Sequence, residues 1–384
     1  MKQLYFILFF VGATSGQAQT ALYNSGNLRI HENGQLGFHT DLINDGIFDD
    51  NLGLAGFYGD LPITVSGAFA PGLFDVEIAN NAFVDLLVPI NTANNTNFVL
   101  GDITTPRNQP SIYYHFLQNA FHVGGSDLSK INGYAGVSGQ TDFSFPVGDA
   151  DYLRMLILNS SSVQPFAKCA YFFEDPSNPV TFNGPFGSEI RTAEVSAIGT
   201  SEFWRLEGSV ASTIQIGWNT RSDMAALTDD VGTIIPVGWS KAANQWESLG
   251  GPGAIGTLDN GITASISFIP DDYELITFGV LGEPIEALDL GNYLVTPNGD
   301  GINDTLLIPE LEQSPNNNVR IFDRFGLKVF DKDNYTNEFD GFATSGSVVI
   351  GQDKGLPSGV YFYIATLHDL DLEFQGFLYL SVIE

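Results

Sequence analysis

Apolar and polar residues alternate in short runs along most of this chain, and Gly, Asn, Asp and Pro cut the runs apart. Period-two runs bounded by such residues read as strands and turns. No long stretch keeps the apolar spacing of an amphipathic helix, so the predicted class is all-β. Between residues 20 and 60 the turn signals fall about ten residues apart, at Asn24-Ser25-Gly26, Asn33-Gly34, Asn44-Asp45-Gly46 and Asn51-Leu52-Gly53. Short strands lie between them, at 28–30, 36–38 and 47–48, and the pattern continues through 74–78, 84–88 and 98–103. Such a rhythm predicts a β-solenoid or β-meander, in which each rung buries its apolar face against the next.

Longer strands are expected between residues 110 and 175, including the strand, turn and strand of 143–149 and 152–158. A Pro- and Gly-rich break follows at 174–179 and 183–187 and reads as a linker or long loop. Beyond it Trp204, Trp218, Trp239 and Trp246 lie on or beside alternating strands such as 214–218 and 234–239, the pattern of a compact antiparallel β-sandwich. Trp239 and Trp246 flank a hairpin and are expected to pair across it; the indoles read as core rather than as a sugar-stacking surface. A second linker at 282–290 leads to a last set of alternating strands, read as another sandwich. The predicted organisation is a leader at 1–18, a solenoid-like region at 19–180, a Trp-containing sandwich at 190–282 and a C-terminal sandwich at 290–384.

The leader begins with Lys2, continues in a short apolar run to Val11, and ends in small and polar residues that include Gly16 and Ala18. This is the layout of a signal peptide cleaved near Ala18, leaving Gln19 first, and the run is too short to span a membrane. With 15 Lys+Arg against 45 Asp+Glu, the net charge of -30 repels phosphate backbones and anionic lipid, which argues against a nucleic-acid partner. The single cysteine, Cys169, rules out a disulfide framework and reads as a small buried core residue.

The last quarter of the chain carries five ordered motifs. They are the turn-rich run from Thr296 to Thr305, the two short strands of 319–330 about Arg324-Phe325-Gly326, Phe339-Asp340-Gly341, the segment 356–363 opening on Leu356-Pro357-Ser358-Gly359, and the final strand 374–380. In this order and spacing they resemble the gliding motility-associated C-terminal domain, the type B sorting domain of type IX secretion substrates. The resemblance covers roughly residues 290–384. It implies translocation across the outer membrane directed by this domain, the type IX machinery as a partner, and an extracellular or outer-surface address. Phe325 and Phe339 stand where that family commonly has tryptophan, an insert occupies 345–355, and the chain ends in the acidic Glu384. The rhythm of the first half resembles β-rich surface proteins of bacteria that use this system.

Candidate chemistry is sparse. Asn298, Asp300, Asn303 and Asp304 place oxygen ligands in one loop, half of a Ca²⁺ site that Asp340 would complete only if the fold brings it near; the same residue types suit a self-closing turn. No other cofactor is expected. His31, His39, His115, His122 and His368 lack compact metal-ligand spacing, and no nucleophile elbow or phosphate loop is present. The acid pairs Asp49-Asp50 and Asp229-Asp230 sit in turn-like polar stretches. No catalytic, cofactor-binding or metal-binding residue is therefore assigned. The expected function is a non-catalytic adhesin or structural surface protein. The alternative is a secreted glycan-binding or glycan-degrading protein, which a cleft with converging carboxylates and exposed aromatics would favour.

Overall fold

The computed structural model describes residues 21–251, 253–282, 293–309, 311, 314–344, 355–370 and 372–382. The leader and its cleavage site, most of the 282–290 linker and of the 345–355 insert, and Glu384 lie outside them. The chain is all-β, about 50% strand and 4% helix. It divides into two compact units after Gly282.

The first unit opens as a solenoid of stacked parallel strands. Ala21 lies opposite Asp41, Gln35 opposite Leu54, and Leu54 opposite Asp75, which sets rungs of 20 (41 − 21), 19 (54 − 35) and 21 (75 − 54) residues. A rung thus spans two of the ten-residue turn signals. Strand Asp75–Leu86 serves two ladders, because its first half pairs with Leu54–Gly59 and its second with Ile63–Ser66. A third ladder runs through Gly72–Leu73, Ile90–Thr92, Tyr114–Phe116 and Tyr134–Val137. Inward residues stack from rung to rung; the Phe38 and Phe57 rings lie 4.9 Å apart and nearly parallel.

Asn24, Asn44 and Asn51 of the turn signals face inward, while Asn33 is exposed. Asn24 Nδ2 donates to Asn44 Oδ1 at 2.7 Å, and Asn44 Nδ2 donates to the Phe69 carbonyl at 2.9 Å. Asn51 accepts from the Ile30 amide and donates to the Gly72 carbonyl, both at 2.6 Å. A corner buried against the next rung leaves backbone groups without a ladder partner, and an amide side chain supplies a donor and an acceptor at once.

The third ladder does not stop at the last parallel rung. Tyr134–Val137 pairs antiparallel with Ala167–Phe172, and the sheet continues through Phe203–Gly208, Tyr273–Leu281, Ile234–Ser240 and Gln245–Ser248. A five-stranded sheet (Gln140–Phe145, Leu156–Gln164, Ser212–Trp218, Asn260–Ala264, Ile255–Thr257) shares its core with the solenoid. The boundary expected at 180–190 therefore falls inside one compact unit, where the antiparallel strands cover what would otherwise be an open parallel edge. All four tryptophans are buried there. Trp239 lies opposite Trp246, their rings 5.6 Å apart and near perpendicular. Cys169 is fully buried, and burial pushes its thiol pKa up. The strand expected from Tyr152 begins at Leu156, because Arg154 turns inward to Glu202.

In the second unit the described residues form one five-stranded sheet, ordered Tyr293–Val295, Leu372–Leu380, Gly359–Leu367, Asn317–Phe322 and Lys328–Asp333. Its buried face carries Ile321, Tyr363, Ala365 and Leu378, and Leu306, Ile308, Tyr335 and Phe339 from the intervening loops complete the core.

Candidate functional site

The opening loop of the second unit is held closed by its own acidic side chains. Gly299, Gly301 and Asn303 take positive φ, the backbone that the Asn-Gly-Asp-Gly run supplies. Asp304 Oδ1 accepts from the amides of Asn298 at 3.0 Å and Gly299 at 2.7 Å, and Oδ2 accepts from Gly301 at 2.7 Å. These bonds hold its pKa below the usual carboxylate range. Asp300 Oδ1 accepts from the Ile302 amide at 2.8 Å. Side-chain oxygens of Asn298, Asp300 and Asp304 thus serve as turn acceptors. Asp340 bonds to the Phe342 amide at 3.4 Å. Phe325 projects from the tip of the Asp323–Leu327 turn, 81% exposed, and Phe339 is fully buried beside Phe330.

One end of the sheet's other face is apolar and open, while Arg320, Thr366 and Glu373 make the far end polar. Tyr379 lies between Leu294 and Val360, and Phe362 between Phe377 and Phe322. Leu294, Val360, Phe362, Phe377 and Tyr379 are each nearly half exposed. A contiguous exposed apolar patch on a folded domain marks an interaction surface.

The solenoid presents a contrasting surface that the sequence did not announce. On the ladder of Gln35–Phe38, Leu54–Gly59, Asp75–Asn80 and Asn95–Phe98, outward side chains form a polar groove of about 570 Å³ lined by Gln35, Asp75, Glu77, Asn95, Asn97 and Phe121, among others. Asn94 Nδ2 donates to Asp75 at 2.7 Å; Tyr58 Oη and Asn97 Nδ2 each donate to a different oxygen of Glu77 at 3.0 Å. The signal for this site is faint, since its members come from successive rungs.

Other candidates resolve into structural roles. Among the described residues no group of three or more His, Cys, Asp or Glu gathers as a metal site. His115 bonds Asn91 at 2.9 Å and Ser138 at 2.7 Å. Asp230 caps a short turn through the Gly232 amide, and Asp50 sits at positive φ in an exposed corner. His122 is packed among Phe98, Phe116 and Phe143, and its Nε2–H donates to the Ser144 carbonyl at 2.7 Å. Burial lowers its pKa. The unfolded chain takes up a proton below a pH of about 6.5 that the folded site resists, so the site's contribution to stability is present above that pH and is lost as pH falls through the folded value. The melting-temperature advantage of wild type over His122→Gln is expected to shrink as pH falls from about 7.5 to about 5. A constant gap in thermal melts across that range contradicts the assignment.

Among the described residues no helix is long and apolar enough to cross a membrane. No curated protein and no solved structure matches the chain. Residues 288–380, within the C-terminal unit with its ordered turns and half-open sheet, match the family model of the CHU_C Type IX secretion signal domain, and that match implies export by the type IX system.

Proposed function

We propose that this chain is a non-catalytic surface protein whose solenoid unit serves adhesion or surface architecture once the type IX system has delivered it outside. A signal peptide removed near Ala18 takes it across the inner membrane first. The observation that carries a binding rather than a reacting role is the state of the groove carboxylates. Asp75 accepts from Asn94 and from the Asn95 amide, and both Glu77 oxygens accept from protein donors. A general acid or base exchanges a proton with its substrate, whereas these groups hold fixed acceptor positions on a rigid lattice. Stacked rungs, each contacting only its neighbours, suit a surface built for display.

The test compares cells carrying the full chain with cells whose chain lacks residues 21–282 and keeps the leader and the signal domain. Attachment to a solid surface is expected to fall severalfold in the deletion strain. Purified protein incubated with neutral polysaccharides is expected to release no new reducing ends. Release that saturates with substrate and disappears in Glu77→Gln overturns the proposal, as does unchanged attachment.

A further inference from the structure

Beside the groove on the solenoid an aromatic ring, Tyr58, lies on the sheet and is tied to the groove's Glu77. Tyr58 points outward from strand Leu54–Gly59, but its ring does not stand away from the surface. It folds back over Gly56 on its own strand, where an added Cβ would clash with Tyr58 Cζ and Oη, and over Gly37 on the neighbouring rung, where one would sit 3.2 Å from Tyr58 Cδ2. Gly37 and Gly56 are opposite each other in the ladder. Two side-chain-free positions therefore make a flat bed for one ring. The phenol is tied at its far end to Glu77 Oε1 at 3.0 Å, and His39 packs beside it at 5.6 Å. One face of the ring is on the glycines and the other is turned away from the sheet.

Beyond the ring the two outward rows continue across the rungs. Glu77 is opposite Asn97, and Asn97 opposite Val123; Asn95 is opposite Phe121. Each rung advances about 4.8 Å, so Glu77 and Asn97 follow the ring in one row across the rungs, and Asp75, Asn95 and Phe121 form a second row beside it. The carboxylates are fixed by the bonds already described. Asn95 Oδ1 is shielded from solvent and has no hydrogen-bond partner in the protein. Fixed acceptors and amide donors beside an apolar ring match a pyranose, with its hydroxyl edge and its apolar C–H face.

We propose that this ladder binds a neutral hexopyranose chain, with Tyr58 as the stacking platform and Glu77 and Asn97 as its first hydroxyl contacts. Charge selects the class: Glu32, Asp75 and Glu77 line the groove, and a uronate or sulfated chain would meet them with like charge. The proposal rests on the adhesion reading and names its ligand.

The test uses the full mature chain in equilibrium titrations with neutral β-linked hexaoses of glucose and of mannose, and with a hexauronate as the anionic arm. Binding of at least one neutral hexaose is expected, with no measurable binding of the hexauronate. Tyr58→Ala is expected to weaken binding at least tenfold, and Tyr58→Phe, which keeps the ring and loses the tie to Glu77, by less. Melting temperatures of both variants show whether the ladder stays folded; if Tyr58→Ala unfolds it, Asn97→Ala is read instead, with the same tenfold loss expected. Binding of neither neutral hexaose, binding confined to the hexauronate, or neutral binding that survives these substitutions overturns the proposal. If cells still attach through residues 21–282 while these titrations fail, the groove assignment falls and the adhesion reading stands.

Discussion

Deleting residues 283–384 is expected to strand the protein in the periplasm with its solenoid unit folded. The two units divide after Gly282, and each has its own core. The second gathers Val319, Ile321, Tyr363, Leu378 and Leu380 on one sheet face with loop residues over them. A domain that closes its own core does not need the cargo in order to fold, and a machine that reads it need not read the cargo. Surface protein in the truncated strain should therefore fall by an order of magnitude or more while the melting temperature of residues 21–282 stays within error. The converse should also hold: a leader and residues 283–384 fused to an unrelated soluble protein should carry it outside in a host with the type IX machinery. Immunoblots of periplasmic and surface fractions read both. Normal surface delivery of the truncated chain would reject the export role of this unit.

The parts of the molecule legible in sequence were those written locally. Period-two alternation identified the strands, and the hairpin between Trp239 and Trp246 predicted their pairing, seen with rings 5.6 Å apart. The C-terminal unit was legible because its turns are covalently ordered motifs. Rung length was not, since the turns in one circuit use similar Asn- and Gly-containing phrases and a half-circuit looks like a whole one. The break at 174–187 read by composition as a linker or a long loop, and composition could not decide between them. Phe186 is buried against Trp239, and its carbonyl accepts from Trp246 Nε1 at 3.0 Å, so the segment is a loop folded back on the antiparallel strands. The groove was hidden for a related reason. Glu77 and Asn97 meet across 20 residues of chain, and nothing local marks Gly37, inside a predicted strand, or Gly56 as the positions over which a ring lies.

Replacing Glu202 with Ala is expected to be among the most damaging single changes in the first unit. Arg154 and Glu202 are 6% and 2% exposed, and the guanidinium holds the carboxylate by two bonds, Nε to Oε2 at 2.9 Å and Nη2 to Oε1 at 2.6 Å. Tyr171 Oη donates to the same carboxylate at 2.6 Å, and Ser222 Oγ accepts from Arg154 Nη2 at 3.0 Å. The guanidinium lies 5.7 Å from the ring centroids of both Tyr171 and Trp204. The pair joins the stretch before strand Leu156–Gln164 of the five-stranded sheet to the start of strand Phe203–Gly208 of the ten-stranded one. Burial and the neighbouring carboxylate hold the Tyr171 phenol well above the ordinary tyrosine range, so it stays a donor. Two charges taken out of water are tolerable only while each compensates the other. Glu202→Ala leaves the arginine charge buried without its partner and removes the Tyr171 acceptor, a loss of about 3–5 kcal/mol. Against a total stability of about 5–15 kcal/mol for a typical domain, that is enough to lower the denaturation midpoint sharply. The double change Arg154→Met with Glu202→Leu removes both charges and fills the space, so it should cost clearly less than the single change. Denaturant titrations of the three proteins decide it. A single variant within about 1 kcal/mol of wild type, or a double variant worse than the single, would show that the pair is not holding the two sheets together by mutual charge compensation.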